Sequence, residues 1–355
     1  MQTKEFLRML SEASGVSGYE AGVRELVRTE FAPYSDEIQV DVLGNLIALK
    51  RGEVLPGVPR RSLLLAGHMD EIGFLVSQME KGFLRFSTVG GFDLRVLPGQ
   101  EVVVHGRRNL PGIIGMRPPH VVSAEEREKT VLQDQLFIDV GLSEEELGSL
   151  VRIGDVVTVQ RQFTELSNGL VAGKGFDDRA AVVCIASCLQ HLTTLKHAWD
   201  VYAVATVQEE TGLKGAITST FGLAPDIGIA IDVGHGNMLG VSEVDTVNVG
   251  GGPALGVGPN IHPIMYSRLV EVAHANEIAY QVDPLPGASG TDAWAMQVTR
   301  EGLPTALVSI PLRYMHTSVE TLALKDVDRI GRLLALFIAG LDEAFAREMG
   351  LGPKP

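Results

Sequence analysis

The sequence predicts a three-layer α/β fold with a central, mixed and parallel-rich sheet, interrupted by a small inserted β-barrel. Strand-like and helix-like segments alternate between Gly175 and Met349, which is typical of a parallel sheet covered on both faces. Residues 72–166 instead contain short alternating strands divided by Gly and Pro, a pattern of a small barrel or a sandwich-like module. We therefore predict a discontinuous α/β domain over residues 1–71 and 167–355 and a β-rich insert over residues 72–166.

The first predicted elements are two amphipathic helices at residues 3–13 and 19–31, followed by a strand pattern from 37 to 49. The continuous apolar run from Ser62 to His68 predicts a strand that is buried on both faces of the sheet. Inside the insert we predict strands at 83–87, 100–105, 112–116 and 155–160.

After the insert, the helical periodicity returns. The predicted helices are 178–191, 215–220, 264–278, 292–299 and 325–349, and the predicted strands are 199–207, 227–233 and 304–310. Cys184 and Cys188 are four residues apart in the first of these helices, so both are expected to be reduced core side chains.

The charge balance excludes several classes of partner. The chain has 30 Lys and Arg against 44 Asp and Glu, a formal net charge of −14 that repels nucleic acid and anionic membranes. The N-terminus lacks the apolar run of a secretory signal, and the apolar stretch Leu333–Leu341 is about half of a bilayer span. The Gly-rich segment 250–258 has neither a dinucleotide fingerprint nor a P-loop lysine. We expect a cytoplasmic protein that binds neither nucleic acid nor membrane.

Polar residues of one chemical type follow the predicted strands, where ligands of open α/β sheets bind. They are His68 with Asp70, Glu209 and Glu210, Asp232, and His316, together with Asp177 and Asp178 before a helix. Each has an ordinary alternative as a helix cap, a turn or a packing residue. Their coincidence at one edge favours a metal site. Two histidines and several carboxylates without a thiolate are typical ligands of two hydrolytic divalent ions such as zinc, cobalt or manganese.

A two-metal site requires a bridging carboxylate and a base that is not itself a ligand. Two neighbouring glutamates at a strand end can diverge, one to a metal and one to the water, and Glu209 and Glu210 fit this division. Asp70, two residues beyond His68, would lie on the same side of the strand and orient its imidazole. The local pattern leaves open whether Asp177 or Asp178 is the ligand.

Six motifs resemble those of the tetrahedral aminopeptidases, a dizinc peptidase family that includes glutamyl and deblocking aminopeptidases and some members labelled cellulases. The motifs are GHMDEIG at 67–73, GFDDR at 175–179, VQEETGLKG at 207–215, AIDV at 230–233, GTDA at 290–293 and SIPLRYMHT at 309–317. They occur in the family's order over nearly the whole chain. The resemblance implies the zinc-peptidase, phosphorylase-like form of the α/β fold.

The resemblance also implies roles for individual residues. His68 and Asp232 would belong to different metals bridged by Asp177, with Glu210 completing the ligands of one metal and His316 those of the other. Many family members have Asn at the position of Asp178, which favours Asp177 as the bridging ligand.

In this reading Glu209 is the general base and, with Asp70, forms the catalytic pair. The expected activity is removal of N-terminal amino acids from peptides by metal-hydroxide attack, with two divalent ions per subunit. Zinc is the expected metal, and cobalt and manganese are the alternatives. The resemblance further implies that the β-rich insert mediates dimers, which assemble into a tetrahedral dodecamer.

Four other functions remain open to the residues alone. A carboxypeptidase or a deacylase can use the same two-metal core. An endoglucanase is less favoured, because the chain has only 2 Trp and 6% aromatic residues and glycosidases rely on two carboxylates without histidine ligands. A non-enzymatic peptide-binding scaffold would require loss of a ligand or of the base, and neither is missing from the sequence.

Overall fold

The structure is a computed structural model that describes residues 2–53, 57–123, 125 and 129–352. Within these residues, eight strands form the large sheet. They are β1 (Glu37–Val40), β2 (Leu46–Lys50), β3 (Ser62–His68), β12 (Asp200–Thr206), β13 (Ile227–His235), β14 (Ala254–Val257), β15 (Gln281–Pro284) and β16 (Thr305–Leu312). Their spatial order is β1-β2-β12-β3-β13-β16-β14-β15. β12, β3, β13 and β16 are parallel, whereas β1 and β2 pair antiparallel and β14 runs antiparallel to β16. The predicted mixed, parallel-rich sheet is confirmed.

Helices cover both faces of this sheet. They are α1 (Thr3–Glu12), α2 (Ala21–Phe31), α4 (Phe176–His191), α5 (Lys214–Leu223), α6 (Pro263–Ala275), α7 (Asp292–Gln297), α8 (Leu324–Ala339) and α9 (Glu343–Glu348). Alternate residues of β3 point to opposite faces, so Leu63 and Leu65 pack into one core and Leu64 and Ala66 into the other. α5 and α7 contribute to the second core, and the other six helices contribute to the first. Burial on both faces explains why β3 is apolar throughout.

The segment after β3 forms a closed six-stranded barrel. Its strands are β4 (Gly73–Glu80), β5 (Phe83–Val89), β6 (Glu101–His105), β7 (Asn109–Met116), β8 (Leu136–Asp139) and β9 (Val156–Val159), in the order β4-β5-β8-β7-β6-β9. Inward-facing side chains such as Phe74, Val102 and Ile114 fill it, and the short helix α3 (Glu144–Leu150) adds Leu147 to this core. The predicted barrel is confirmed, and its strands lie within residues 72–166. The division into two domains at those residues stays a prediction.

The C-terminal segment is two helices, so the single helix predicted over residues 325–349 is wrong. α8 ends at Ala339, and the Asp342 carboxylate accepts a hydrogen bond from the backbone N–H of Phe345 at 2.8 Å. This side chain caps a new helix, because it satisfies a backbone donor that has no partner within the helix. The apolar periodicity continues across the break and therefore hides it in the sequence.

The strand pattern predicted over residues 37–49 is a hairpin of β1 and β2. The Asp41 carboxylate accepts hydrogen bonds from the backbone N–H groups of Leu43, Gly44 and Asn45 at 3.0, 2.8 and 3.0 Å. Gly44 has a φ of 113°, which favours glycine, so the chain can reverse here.

A small three-stranded sheet connects the barrel to the rest of the molecule. It consists of β10 (Thr164–Glu165), β11 (Leu170–Gly173) and β17 (Glu320–Ala323). These strands are too short for a clear period in the sequence and were not predicted. Cys184 and Cys188 are free and buried in α4, as predicted. No helix of the described residues has the length and apolar character needed to cross a membrane.

Candidate active site

The predicted site residues meet at one edge of the large sheet. β3 ends at His68, in register with Thr206 at the end of β12, while Asp232 of β13 lies opposite Ser309 of β16. Because these strands run in the same direction, their carboxyl ends meet at this edge. Six of the predicted site residues line a cavity there: His68, Asp177, Glu209, Glu210, Asp232 and His316. Asp70 does not line the cavity but contacts His68 and Glu209.

Asp177 lies between the two histidines. Its Oδ1 is 3.1 Å from His68 Nε2, and its Oδ2 is 3.2 Å from His316 Nε2. Two ligand atoms of one tetrahedral zinc ion are about 3.3 Å apart, given metal–ligand distances near 2.0 Å. Each oxygen of Asp177 thus has the spacing to share a different ion with a different histidine. Burial acts to raise the pKa of Asp177, but the two histidines outweigh it and hold that pKa below its usual value.

The remaining carboxylates lie close to the two histidines. Glu210 Oε1 is 3.3 Å from His316 Nε2. Potential ligand atoms also lie within 4.8 Å of one another in two groups, His68 with Glu209 and Asp232, and His68 with Asp177 and Glu210. The short contact of Glu210 with His316 and the grouping of Asp232 with His68 favour each of these pairs as ligands of one metal, whereas the family resemblance implies that each pair is divided between the metals. The division of the ligands stays a prediction. The side chains belong to segments that are remote in the sequence, so only the folded chain determines which of them are neighbours.

Asp178 makes different contacts from Asp177. Its Oδ2 accepts a hydrogen bond from the backbone N–H of His68 at 3.1 Å, and its buried Oδ1 has no hydrogen-bond partner in the described part of the chain. Burial, reinforced by the nearby Asp232, raises the pKa of Asp178 well above its usual value. Of the two aspartates between which the local sequence pattern could not choose, the geometry favours Asp177 as the bridging residue.

Asp70 connects the imidazole of His68 to the two glutamates. His68 Nδ1 is 3.1 Å from the backbone oxygen of Asp70 and 3.5 Å from its carboxylate, which directs the other ring nitrogen toward Asp177. The Asp70 carboxylate also accepts hydrogen bonds from the backbone N–H groups of Glu209 at 3.0 Å and Glu210 at 3.2 Å. The hydroxyl of Ser17 donates a further bond at 2.5 Å. Asp70 therefore positions both the histidine and the segment that carries the glutamates.

Glu209 lies at the ligand cluster without a hydrogen bond to it. Its Oε2 is 3.7 Å from His68 Nε2, beyond hydrogen-bonding distance. Burial raises the pKa of Glu209 to about 9, and the nearby Asp232, Asp292 and Glu210 add to this effect while His68 opposes it. A carboxyl group in this position prefers to hold a proton unless positive charge is brought close to it.

The cluster as a whole has a surplus of negative charge, and this surplus indicates whether the residues fit metal ions. Among the described residues, no Lys or Arg forms an ion pair with Asp177, Glu209, Glu210 or Asp232. Burial raises the pKa of Glu210 and Asp232, and repulsion from Asp177 contributes in both cases. Buried carboxylates are stable when they are paired or bind cations. The donor set of oxygens and imidazole nitrogens therefore fits divalent cations.

Glu320 is a site residue that sequence reasoning missed. It is 2% exposed, and its two oxygens accept hydrogen bonds from the backbone N–H groups of His316 at 3.0 Å and Asp177 at 3.2 Å. It thus ties together two proposed ligands that are far apart in the chain. The only signal in the sequence was a carboxylate four residues after His316, which is too common a pattern to predict a function.

The cavity in front of the cluster has a volume of about 820 Å³. It extends from the ligand cluster to the segment between β15 and α7, and Ser289 and Thr291 line it. Arg313 is not part of the lining and instead bonds to the backbone oxygen and side chain of Asn237. A cavity of this size accommodates a small organic ligand or the end of a peptide.

A parallel-rich sheet flanked by helices, with histidines and carboxylates around a cavity at its carboxyl edge, is typical of metal-dependent hydrolases with an α/β fold. The model of the M42 glutamyl aminopeptidase family matches residues 44–333, and the chain belongs to this family. It is therefore a hydrolase that acts as an aminopeptidase, and the family's members are metallopeptidases.

Several relatives match almost the full length of the chain. A lysyl aminopeptidase of Pyrococcus furiosus is 38% identical over 93% of this chain and 94% of its own length. The crystal structure of a TET aminopeptidase from the marine sediment archaeon Thaumarchaeota archaeon SCGC AB-539-E09 has a TM-score of 0.91 at 34% identity and covers 98% and 99% of the two chains. The TET1 peptidase of Pyrococcus horikoshii, which assembles into a tetrahedron or a large octahedral shell, has a TM-score of 0.83 at 33% identity over 96% and 100%.

One similar structure bears a different functional name. It is an endoglucanase from Thermotoga maritima, with a TM-score of 0.77 at 32% identity over 97% of this chain and 98% of that one. The resemblance to tetrahedral aminopeptidases, including members labelled cellulases, is thus confirmed.

Proposed function

We propose that this chain removes N-terminal amino acids from peptides with two divalent ions, held on one side by His68, Asp177 and Asp232 and on the other by Asp177, Glu210 and His316. The observation that carries the proposal is Asp177, whose two oxygens each lie within 3.2 Å of a different histidine nitrogen. Zinc is the first candidate, with cobalt and manganese as alternatives, because imidazole and carboxylate ligands accept all three. When bound, such ions polarise the scissile carbonyl and activate water.

The residues of the chain supply the remaining steps. Glu209 takes the proton of the attacking water and returns it to the leaving amine, since its carboxyl lies at the cluster without being fixed by a hydrogen bond. Asp70 holds Glu209 through its backbone N–H and keeps His68 in the orientation that points Nε2 at Asp177. Both roles are those that the sequence predicted for these residues.

The charge of the cavity favours the amino end of a peptide over the carboxyl end. In the part of the chain that the structure describes, the lining contains several carboxylates and no Lys or Arg. A carboxypeptidase would need a cation there for the terminal carboxylate, whereas a positively charged α-amino group is attracted to this surface. A glycan cleft would offer aromatic platforms, and Trp, Tyr and Phe are missing from the described lining. We therefore prefer the aminopeptidase to the carboxypeptidase and endoglucanase alternatives, and the M42 family match favours it over a deacylase.

The test uses neighbouring aspartates as a matched pair. Metal-loaded wild-type protein is expected to hold about two ions per chain by elemental analysis, Asp177→Asn to lose them, and Asp178→Asn to retain them, since Asn can still accept the bond from His68 N–H. Wild-type protein should also release amino acids from aminoacyl p-nitroanilides, and a chelator should abolish this release. Equal metal content in both variants, or chelator-resistant turnover, would contradict the two-metal assignment.

We further propose that residues 72–166 form a separate domain through which two copies pair, and that the pairs assemble into a dodecamer. The support is the multimeric state of the TET structures and the apolar side chains on the outer wall of the barrel, among which Ile113 is 54% exposed. Sedimentation analysis should find twelve copies, and Ile113→Lys should shift the protein to smaller species. A monomeric wild-type chain would contradict the proposal. The cytoplasmic location inferred from the sequence stays a prediction.

A further inference from the structure

We propose that the cavity selects an N-terminal residue with a cationic side chain, lysine or arginine, and that Asp283 is the residue that recognises this cation. This inference rests on the proposed aminopeptidase function and names its substrate class. It concerns the loop around residues 283–289, with His235 beside it in the lining of the cavity.

The glycine at position 234 of β13 leaves space between the ligand cluster and Asp283. Asp232 and Gly234 are two residues apart, about 6.6 Å along the strand, and face the same side of the sheet. A Cβ atom at Gly234 would lie 4.0 Å from Asp283 Oδ2 and 3.1 Å from the Cβ of Ser309. Because glycine has no Cβ, the cavity remains open between the ligand cluster at Asp232 and the carboxylate of Asp283.

This spacing suits a long side chain. The four-carbon stem of lysine places its ammonium about 6 Å from its Cα atom. A peptide whose first residue is bound at the ligand cluster can therefore extend a lysine side chain past Gly234 to Asp283. Short or branched side chains do not reach this carboxylate.

Asp283 lacks a partner for its charge. In the described residues, no hydrogen bond or ion pair reaches its carboxylate, although it is partly buried. Burial raises the pKa of Asp283, and the nearby His235 opposes that effect. A partly buried carboxylate without a donor gains stability from a cation that enters the cavity.

The walls of the cavity are also suited to a lysine or arginine stem. Val257, Val282, Leu285 and Leu307 line it, and long cationic side chains place their methylene groups on apolar surface of this kind. Asp245 adds a second carboxylate at the exposed rim. A glutamyl side chain would meet Asp283 and Asp245, and no Lys or Arg of the described residues lines the cavity to offset them. Despite the family's name, an acidic N-terminal residue is therefore disfavoured.

The experiment compares the p-nitroanilides of lysine, arginine, norleucine and glutamate at fixed metal content. Norleucine has an unbranched apolar stem without the ammonium, so the ratio of kcat/KM for lysine over norleucine isolates the charge. We expect this ratio to exceed about 10, as is typical of one charge-assisted contact. Asp283→Asn should lower it by about 10-fold or more, and Asp283→Lys should favour glutamate over lysine.

The control is Glu243→Gln, an exposed acidic residue near the rim that does not line the cavity. This substitution removes one negative charge, as Asp283→Asn does, but leaves the proposed contact intact. The ratio of kcat/KM for lysine over norleucine should therefore remain at the wild-type value. Binding of lysinamide and norleucinamide to metal-loaded Glu209→Gln, measured by calorimetry, gives a second readout that requires no turnover. Lysinamide should bind more tightly, and addition of Asp283→Asn should remove the difference.

The outcomes separate this inference from the function on which it rests. Turnover of norleucine or glutamate substrates in preference to lysine, or a ratio that Asp283→Asn leaves unchanged, overturns the inference while the aminopeptidase function stands. Hydrolysis of none of the substrates overturns the proposed function. If lysinamide then still binds in an Asp283-dependent way, the recognition of a cationic side chain by Asp283 is supported on its own.

Discussion

The carboxylate of Asp70 accepts a hydrogen bond from the backbone N–H of Glu209 at 3.0 Å. The backbone oxygen of the same residue lies 3.1 Å from His68 Nδ1 and its carboxylate lies 3.5 Å away, so one buried residue holds a proposed ligand and the proposed base relative to each other. Positioning of this kind matters because catalytic groups must be held within a fraction of an ångström of their productive geometry.

Replacement of Asp70 should therefore lower activity without removing any group that reacts. In Asp70→Asn, the amide can present an NH₂ group to backbone donors that the carboxylate now satisfies, and the segment carrying Glu209 shifts. We expect kcat/KM to fall by about 10- to 100-fold. The control is Asp93→Asn, an aspartate before the barrel strand β6 that pairs with Arg95. Activity of Asp70→Asn within about twofold of wild type would contradict the positioning role.

Substitution of the neighbouring glutamates Glu209 and Glu210 should have different effects on turnover and on metal content. Glu209→Gln removes the base, so kcat should fall by about 10²- to 10⁴-fold while metal content stays near two ions per chain. Glu210→Gln removes a proposed ligand, so metal content itself should fall. Both variants are analysed for metal and for turnover of an aminoacyl p-nitroanilide. Substantial activity in metal-loaded Glu209→Gln would rule out this residue as the base.

Glu320 should contribute to stability as well as to the site. Glu320→Gln keeps the shape of the side chain but replaces one acceptor with a donor that faces the backbone N–H of His316 or Asp177. An unsatisfied buried donor costs about 1–3 kcal/mol, and the free energy of unfolding should fall by that amount. Denaturant titration measures it, with the exposed Glu301→Gln as the control. An unchanged midpoint would show that these two hydrogen bonds are not needed.

A second buried carboxylate, Glu71, gives a pH-dependent prediction. It pairs with Lys174 at 2.6 Å and Arg179 at 3.2 Å and accepts a bond from the backbone N–H of Gly15 at 3.0 Å. Burial acts to raise the pKa of Glu71, but Arg179 and Lys174 outweigh it and hold that pKa below the usual 4.5. Because the folded-state pKa is lowered, the stabilisation is present above about pH 4.5 and is lost as the pH falls through the lowered value.

At neutral pH, Glu71→Gln leaves two buried cations without their partner and should cost about 3–5 kcal/mol. The control is Glu53→Gln, which breaks an exposed pair with Lys196 at 3.2 Å and should cost less than about 1 kcal/mol. Thermal unfolding of both variants and wild type is compared at pH 7 and below pH 4. The deficit of Glu71→Gln should narrow in acid, and a deficit that is independent of pH would contradict the charge-based explanation.

The sequence by itself determined the class of fold and the chemical identity of the site. The continuous apolar run of β3 requires burial on both faces, and this requirement, together with the strand–helix alternation, leads directly to a parallel-rich sheet. His68 and Asp232 lie in the carboxyl-terminal parts of β3 and β13, and the two glutamates follow β12, so the rule that parallel strands end at one edge was sufficient to bring them together. The direction of the strands was enough to predict that these residues meet at one edge of the sheet.

The tertiary structure decided the relationships that depend on distance. That His316 lies 3.3 Å from Glu210, and that Glu320 holds Asp177 and His316 together, results from contacts between segments that are remote in the sequence. The same is true of Asp283, which reaches the cavity only because β15 lies two strands from β16 and Gly234 leaves the space open. Local periodicity records which face of an element is buried, but a contact between remote side chains exists only after the sheet has set their separation.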